Sequence, residues 1–373
     1  MMCKYYLVEV EKRGNMKRRL ILLLLIIMLA AGCGVAKDTE QSYQRSETVM
    51  DTVATLSASG PNAKQAVDES MTRLKVLEAM TSVSIADSDV SKLNKSAGSG
   101  EWIKLNPEVY HLLKVSAYYS KLTNGAWDIT AGPFIKLWGI GSESPSVPTA
   151  AEIQQAKALV NWQNLELDES TQRARLMKKG MSLDLGGIAK GMALDEVRKI
   201  YANYGIEHGL INLGASSLYA IGSKADGNEW RVGLRHPRNE DAKAIIGIVT
   251  LSNAALSTSG DYERFFIKDG VRYHHIIDPK TGRPASNGAI SITVIVDGSY
   301  ADAGMISDLL TTAVFIMGPE QGRKFLQELS IKTAGAICDN KYTLWITPAF
   351  SQHLHQLDKN FSLNIEDKKA LGN

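Results

Sequence analysis

The stretch that most limits what this chain can fold into is an unbroken apolar run, Leu20 to Ala31, preceded by Lys17-Arg18-Arg19 and followed by Gly32-Cys33-Gly34. Twelve residues are too few to cross a bilayer as a helix, but they suit the core of a secretory signal behind a basic n-region. The small residues ahead of Cys33, in Leu29-Ala30-Ala31-Gly32-Cys33, form a lipobox-like cleavage site, with Leu29 one place early and Ala30 in its slot. Residues 1–32 are therefore read as a signal peptide and Cys33 as the lipidation site of an exported chain; ordinary signal cleavage and a retained anchor are the alternatives. Met16 opens a better signal than Met1, which leaves residues 1–15 as a stretch that translation could skip.

Removing that segment also changes the charge. The 373 residues carry a formal net charge of +2, with 42 basic and 40 acidic side chains. Residues 1–32 hold six of the basic ones against Glu9 and Glu11, so the remainder has 36 basic and 38 acidic residues, a net of −2. No concentrated basic face points to nucleic acid. Of the three cysteines, only Cys338 lies outside the signal and its cleavage site, so an internal disulfide is excluded. A content of 44% hydrophobic and 22% charged residues is that of a globular domain.

Residues 33–46 read as a polar tether and residues 47–365 as one folded domain. Thr48 to Ser57 alternates as a strand, and Ala63 to Met80 places Ala66, Val67, Met71, Leu74 and Leu77 at helical spacing. Glu108 to Thr123 predicts a second helix, and Thr149-Ala150-Ala151-Glu152 a capping box opening a third. Leu183 to Gly191 reads as a glycine-rich turn before a helix over Ala193–Tyr204. Strands follow at 209–222, 229–234, 245–251, 264–268 and 289–296, the last with Ile290, Ile292, Val294 and Val296 on one face. A helix from about Ala301 to Met317 stops at Gly318-Pro319. Strands joined mostly by tight turns predict an α+β fold with largely antiparallel sheets and packed helices.

Four clusters carry possible chemistry. Gly125-Ala126-Trp127-Asp128-Ile129-Thr130-Ala131-Gly132-Pro133 suits close approach of backbone to a planar ligand, or simply a turn with a packed Trp. Asp184-Leu185-Gly186-Gly187-Ile188-Ala189-Lys190-Gly191 is neither a Walker A nor a dinucleotide fingerprint, since Met192 follows Gly191 where a Lys is required; it reads equally as an anion site or a helix-entry turn. His274 and His275 point to opposite faces if they lie in a strand, so one can serve as a general base while the other is structural. Asp308 and Thr312, four apart on a helix, can offer two oxygens to a hard cation such as Mg²⁺, unless the Thr hydroxyl bonds back to the Asp308 carbonyl.

The order of these clusters resembles the FAD:protein FMN transferase family, the ApbE-like or thiamine-biosynthesis lipoproteins, with their T-fold-like architecture. The resemblance runs from about Met50 to Gly318. It takes in Met50-Asp51-Thr52, Asp87-Ser88-Asp89-Val90-Ser91-Lys92-Leu93-Asn94, the Trp127-Asp128 segment, Asp184–Gly191, Thr258-Ser259-Gly260-Asp261-Tyr262, His275-Ile276-Ile277-Asp278-Pro279 and the Asp308/Thr312 helix.

The resemblance implies that FAD is the substrate and is bound by Met50, Ser84, Ala126, Trp127, Asp128, Asp184, Lys190, His275 and Ile276. It implies Mg²⁺ held by Gly187, Asp308 and Thr312, and His275 as the base acting on a Ser or Thr hydroxyl of an acceptor protein, with release of AMP. The chain would sit on the outer face of the bacterial cytoplasmic membrane or the periplasmic side of an envelope membrane. An FAD pyrophosphatase and a non-catalytic flavin-binding lipoprotein are the rival readings. Three places depart from the family pattern: Asp51 stands for a usual Gly, Val83 and Ser84 stand where an aromatic stacks on flavin, leaving Trp127 as a candidate, and Asn212–Ser216 lacks a second Gly and an acidic residue.

Overall fold

The structure, a computed structural model, describes residues 41–241 and 243–365. The signal segment and Cys33 lie outside them. Strands β1 (Ser42–Val49) and β2 (Thr52–Ser59) form an antiparallel hairpin in which Val49 pairs with Thr52. The alternation expected over Thr48–Ser57 thus spans two strands, and residues 42–46, expected in the tether, belong to the sheet. Their alternation of half-buried and exposed side chains is that of an edge strand with one face on the domain, although their polarity reads as linker.

Seven further strands complete a nine-stranded sheet: β3 (His208–Leu213), β4 (Ser217–Ile221), β5 (Ala254–Gly260), β6 (Ala289–Asp297), β7 (Thr333–Asp339), β8 (Thr343–Ile346) and β9 (Ser362–Ile365). They stand side by side in chain order. Every neighbouring pair is antiparallel except β8 and β9, which are parallel. The helices α1 (Ala63–Thr81), α2 (Asp89–Lys95), α3 (Pro107–Leu122), α4 (Gly132–Trp138), α5 (Ala150–Lys157), α6 (Ala189–Asn203), α7 (Ala303–Met317) and α8 (Pro319–Glu328) enter between strands. The expected α+β class with largely antiparallel sheets is the class observed.

Two cores sit on opposite faces of the sheet. On one face Leu56, Ile211, Ile292, Val294 and Val296 pack with Leu74 of α1, Leu194 of α6 and Leu309 of α7. On the other, Leu218, Leu256 and Ile295 meet Val249 and Leu251 of a smaller sheet built from 230–235, 245–251 and 354–355. Ile290 belongs to this second core, contrary to the expectation that it shares a face with Ile292. An irregularity in the pairing of β6 with β7, between Ala289 and Ser291, breaks the period of two there.

Helix α6 begins at Ala189, four residues before the expected start, because its first turn is completed by another helix. Neither α6 nor α7 has a side-chain N-cap of its own. Instead Asp308 of α7 accepts the Gly191 amide (3.0 Å), and Asp195 of α6 accepts the amides of Gly304 (2.8 Å) and Met305 (3.0 Å). Each helix therefore satisfies amides that would otherwise be unpaired at the start of the other. The exchange needs near-contact of backbones. A Cβ on Gly304 would lie 2.3 Å from the Gly191 carbonyl oxygen, and one on Gly191 2.4 Å from that of Gly304. Gly304→Ala should accordingly cost at least about 2 kcal/mol, read as a lowered melting temperature by calorimetry; an unchanged melting temperature would show that the helices can part without penalty.

Candidate functional site

All twelve residues singled out for FAD or the cation line one open cleft of about 530 Å³: Met50, Ser84, Ala126, Trp127, Asp128, Asp184, Gly187, Lys190, His275, Ile276, Asp308 and Thr312. That volume is in the range of small-molecule and cofactor sites. Segments far apart in sequence converge here because short backbone links bind them. The Asp184 amide donates to the Ile129 carbonyl (2.9 Å), and Ala131 bridges Ser182, which ties the Trp127 segment to the glycine turn. Asn94 clamps the turn from the other side: its Oδ1 accepts the Leu183 amide (2.7 Å) and its Nδ2 donates to the Leu183 carbonyl (3.3 Å). Asp89 in turn accepts the Asn106 amide (2.6 Å). Of the Asp87–Asn94 motif, Asn94 is thus scaffold for the Asp184 loop and Asp89 for the start of α3.

The cation-site residues sit where α7 passes that loop. Asp308 is 5% exposed; Oδ2 takes the Gly191 amide, and Oδ1 has only a long contact to the Ser217 hydroxyl at 3.3 Å. The hydroxyl that bonds back to the Asp308 carbonyl is that of Thr311 (2.7 Å), not Thr312. Among the described residues Thr312 Oγ1 has no hydrogen-bond partner, and it lies 3.0 Å from where a Cβ on Gly187 would stand. Among the described residues no three His, Cys, Asp or Glu side chains group as metal ligands. A cation here would lean on one carboxylate plus neutral oxygens. That donor set fits Mg²⁺, which is commonly held by one or two carboxylates and keeps several waters.

A polar ladder fixes α7 against the sheet. Ser257 of β5 bonds Ser307 (2.9 Å), and Ser259 bonds Thr311 (2.7 Å). Lys190 donates to Ser216 Oγ (3.0 Å), and neither Lys190 nor Arg264 has an ion-pair partner among the described residues. The cleft therefore offers two cations to an anionic ligand.

His275 is half-buried, and its Nδ1 lies 3.2 Å from the Arg264 carbonyl oxygen. A carbonyl only accepts, so Nδ1 carries the proton and Nε2 keeps its lone pair. Burial, and then the Arg264 charge, push the His275 pKa down to about 3. His274 is the structural partner of the pair: buried, it donates from Nε2 to the Ala285 carbonyl (2.9 Å) and accepts the Ile276 amide (3.3 Å) at Nδ1.

Two expected ligand contacts have scaffold roles. Trp127 is 4% exposed, its Nε1 donates to Ser116 Oγ (2.8 Å), and a Cβ on Gly187 would stand 2.8 Å from its Cζ3. Its ring packs against the glycine turn and lines the cleft with little exposed surface, which leaves little of it for stacking on a flavin. Asp128 spends Oδ1 on the Thr130 amide and hydroxyl and Oδ2 on the Trp162 amide. Burial raises its pKa against those bonds. Sequence reasoning assigned no role to Arg264, which lines the cleft, nor to Glu78, whose carboxylate accepts the Met50 amide (2.9 Å). Arg264 could have been noticed as a basic residue eleven positions before His275 in a stretch already singled out; nothing local marks Glu78.

Fold and cleft together define a class of enzyme that binds an anionic ligand beside hard oxygen donors and a neutral imidazole. The family model described as the ApbE family matches residues 50–338, and the chain belongs to that family. A FAD:protein FMN transferase of Klebsiella pneumoniae is 38% identical over 255 residues, covering 68% of this chain and 76% of that protein. One of Treponema pallidum is 31% identical over 334 residues, covering 84% and 90%. Among solved structures, the ApbE protein of Thermotoga maritima matches with TM-score 0.76 and 31% identity, covering 85% of this chain and all of that one (100%). The flavin transferase ApbE of Vibrio cholerae matches with TM-score 0.74 and 28% identity, covering 84% and 100%. The chain is thus a member of a family of transferases.

The low His275 pKa has a direct check. Above the unfolded value near 6.5 the group is neutral in both states; as pH falls below it, the unfolded chain takes up a proton that the folded one refuses, so stability declines toward acid. NMR of labelled histidine should show His275 still neutral at pH 5, and a titration midpoint near 6.5 would contradict the environment described.

Proposed function

We propose that this chain transfers the FMN half of FAD to a Ser or Thr hydroxyl of an acceptor protein and releases AMP. The observation that carries the reading is the meeting, in one cleft, of the Asp308/Thr312/Gly187 oxygens, two cations without ion-pair partners and an imidazole whose Nε2 is free. The transferase activity named for the relatives supports the same reading.

His275 Nε2 takes the proton of the acceptor hydroxyl. The hydroxyl oxygen bonds to the FMN phosphorus, and the bridging P–O bond breaks with its electron pair leaving on AMP. The low pKa of the free cleft keeps the imidazole in the neutral form a base requires, and the negative diphosphate beside it raises its basicity. Lys190 balances charge on the phosphoryl oxygens. A divalent cation held by Asp308, Thr312 and the Gly187 carbonyl would add Lewis-acid charge neutralisation at the same oxygens. With FAD, Mg²⁺ and a candidate acceptor, mass spectrometry should find FMN covalently on the acceptor. Asp308→Ala should lower AMP release at least about 100-fold, and His275→Ala should bind FAD yet leave the acceptor unlabelled. Free FMN with an unlabelled acceptor in the wild type would favour the pyrophosphatase instead.

Export and anchoring through Cys33 belong to the same proposal, supported by the basic, apolar and small-residue order before it. Among the described residues no helix is long and apolar enough to cross a membrane. Cys33→Ala should move the protein from the membrane pellet to the supernatant and abolish labelling by a radioactive fatty acid; retention with undiminished labelling would remove Cys33 as the anchor.

A further inference from the structure

Arg264 stands at the root of a hairpin formed by strands 265–268 and 271–274, directly across from His275. Its carbonyl oxygen receives both the backbone N–H of His275 (3.0 Å) and the imidazole Nδ1–H (3.2 Å). Its side chain turns toward the glycine loops. Cδ lies 3.4 Å from where a Cβ on Gly141 would stand, and Nη2 4.0 Å from the same point on Gly186. Gly186 directly precedes the Gly187 that Thr312 touches, so the guanidinium stands on the same turn as the proposed cation donors.

No contact ion pair neutralises the charge, although the Asp184 carboxylate lies near enough to feel it. Among the described residues Arg264 makes no ion pair and no side-chain hydrogen bond; neighbouring Glu263 pairs with Arg235 at 3.5 Å, and Asp184 Oδ1 is taken by the Gly186 amide (3.0 Å). A guanidinium in a cleft with no carboxylate in contact keeps its fork of N–H donors open, and that fork is matched in geometry to a phosphate or diphosphate.

We propose that Arg264 is a substrate-binding and positioning residue: its guanidinium takes the diphosphate of the bound dinucleotide at Gly186, while its main chain sets His275 with Nε2 toward the reacting phosphorus. This rests on the reading of the cleft as a flavin dinucleotide site. Placing the anion grip and the base support on one residue fixes the distance between diphosphate and imidazole, whatever the hairpin beyond them does. It also couples charge to basicity. Burial, Arg264, His274 and Lys190 all hold the imidazole pKa down, and only the bond to the Arg264 carbonyl opposes them. A diphosphate seated on the guanidinium cancels one of those cations, so His275 becomes a stronger base when substrate is bound.

The test compares ligands with and without phosphate. Binding of FAD and of riboflavin is followed by flavin fluorescence in wild type, Arg264→Gln and Arg264→Lys, with circular dichroism to check folding. Arg264→Gln should weaken FAD about 10- to 100-fold, the value of a charge-assisted bond, with riboflavin affinity changed less than about twofold. Arg264→Lys, which keeps the charge and loses the fork, should recover part of the FAD affinity. In the ligand-free protein NMR should show the His275 pKa raised in Arg264→Gln and not in Arg264→Lys. FAD affinity within about twofold of wild type in Arg264→Gln, or an equal loss for FAD and riboflavin, overturns the proposal. If Arg264→Gln does not fold, a loss in Arg264→Lys that is selective for FAD supports the proposal and an unselective one overturns it. A wild-type protein that binds riboflavin as tightly as FAD would instead sink the dinucleotide reading itself.

Discussion

Helices α6 and α7 touch through two glycines, and each finishes the other's first turn with a carboxylate. The site depends on this contact more than on any other. Asp195 is the structural half of the exchange: burial pushes its carboxyl pKa up to about 7 even though two amides point at it. Asp308 is the half that faces the cleft. One oxygen is spent on the Gly191 amide, and the other is left at the cleft with only a long hydroxyl contact. The interaction that locks the helices therefore also aims the carboxylate at the glycine turn, and Thr312, one turn further along α7, comes to rest against Gly187. Anything larger than hydrogen at 191 or 304 would move the carboxylate and the turn apart together.

This arrangement explains why so polar a row is buried between a helix and a sheet. Ser217, Ser257, Ser307 and Thr311 are fully buried, a costly set unless each is paired. Along β5 and α7, Ser257 pairs with Ser307 and Ser259 with Thr311, while Ser217 of β4 donates to Asp308 Oδ1. A purely apolar interface would let α7 slide or rotate by a fraction of a turn; hydrogen bonds of fixed length do not. The ladder gives the Asp308 side chain one position at the cleft.

Much of the fold was legible because apolar period and turn chemistry agree. The helices at 63–81, 107–122 and 303–317, the capping box at Thr149 and the strand at 289–297 lie close to where spacing and punctuation put them. The failures share one cause, polar residues doing the work expected of apolar ones. Strand β1 is polar enough to read as tether, and β5, with Ser257-Thr258-Ser259-Gly260, is assigned no strand from sequence because its buried side carries the polar residues of the α7 ladder. The early start of α6 was hidden because its capping carboxylate lies over a hundred residues away in α7. At the site, residue types and order identified every lining residue proposed, but not its role. The indole of Trp127 looks like a stacking platform until it is found buried, with Ser116 on its Nε1 and Gly187 against its six-membered ring, and the Asp128 carboxylate looks free until the Trp162 amide arrives from a later turn.

Two of the departures from the family pattern have a common backbone explanation. Asp51 has φ of 56° and Ala215 has φ of 58°, left-handed conformations that glycine adopts freely and other residues at a cost of about 1 kcal/mol. Both are hairpin turns at the cleft: Met50-Asp51 joins β1 to β2, and Gly214-Ala215 leads from β3 toward β4. What these turns need is the backbone angle, and each is held to it by its neighbours. Glu78 grips the Met50 amide, Asn212 Oδ1 accepts the Ala215 amide (2.8 Å), and the Gly214 amide donates to Val53 (3.0 Å), tying the two turns together. An aspartate or alanine in place of glycine therefore raises the energy of the turn without changing its path. Held this way, the two turns stand beside the side chains proposed to act on a ligand, on α7, the glycine turn and the root of the hairpin at His275.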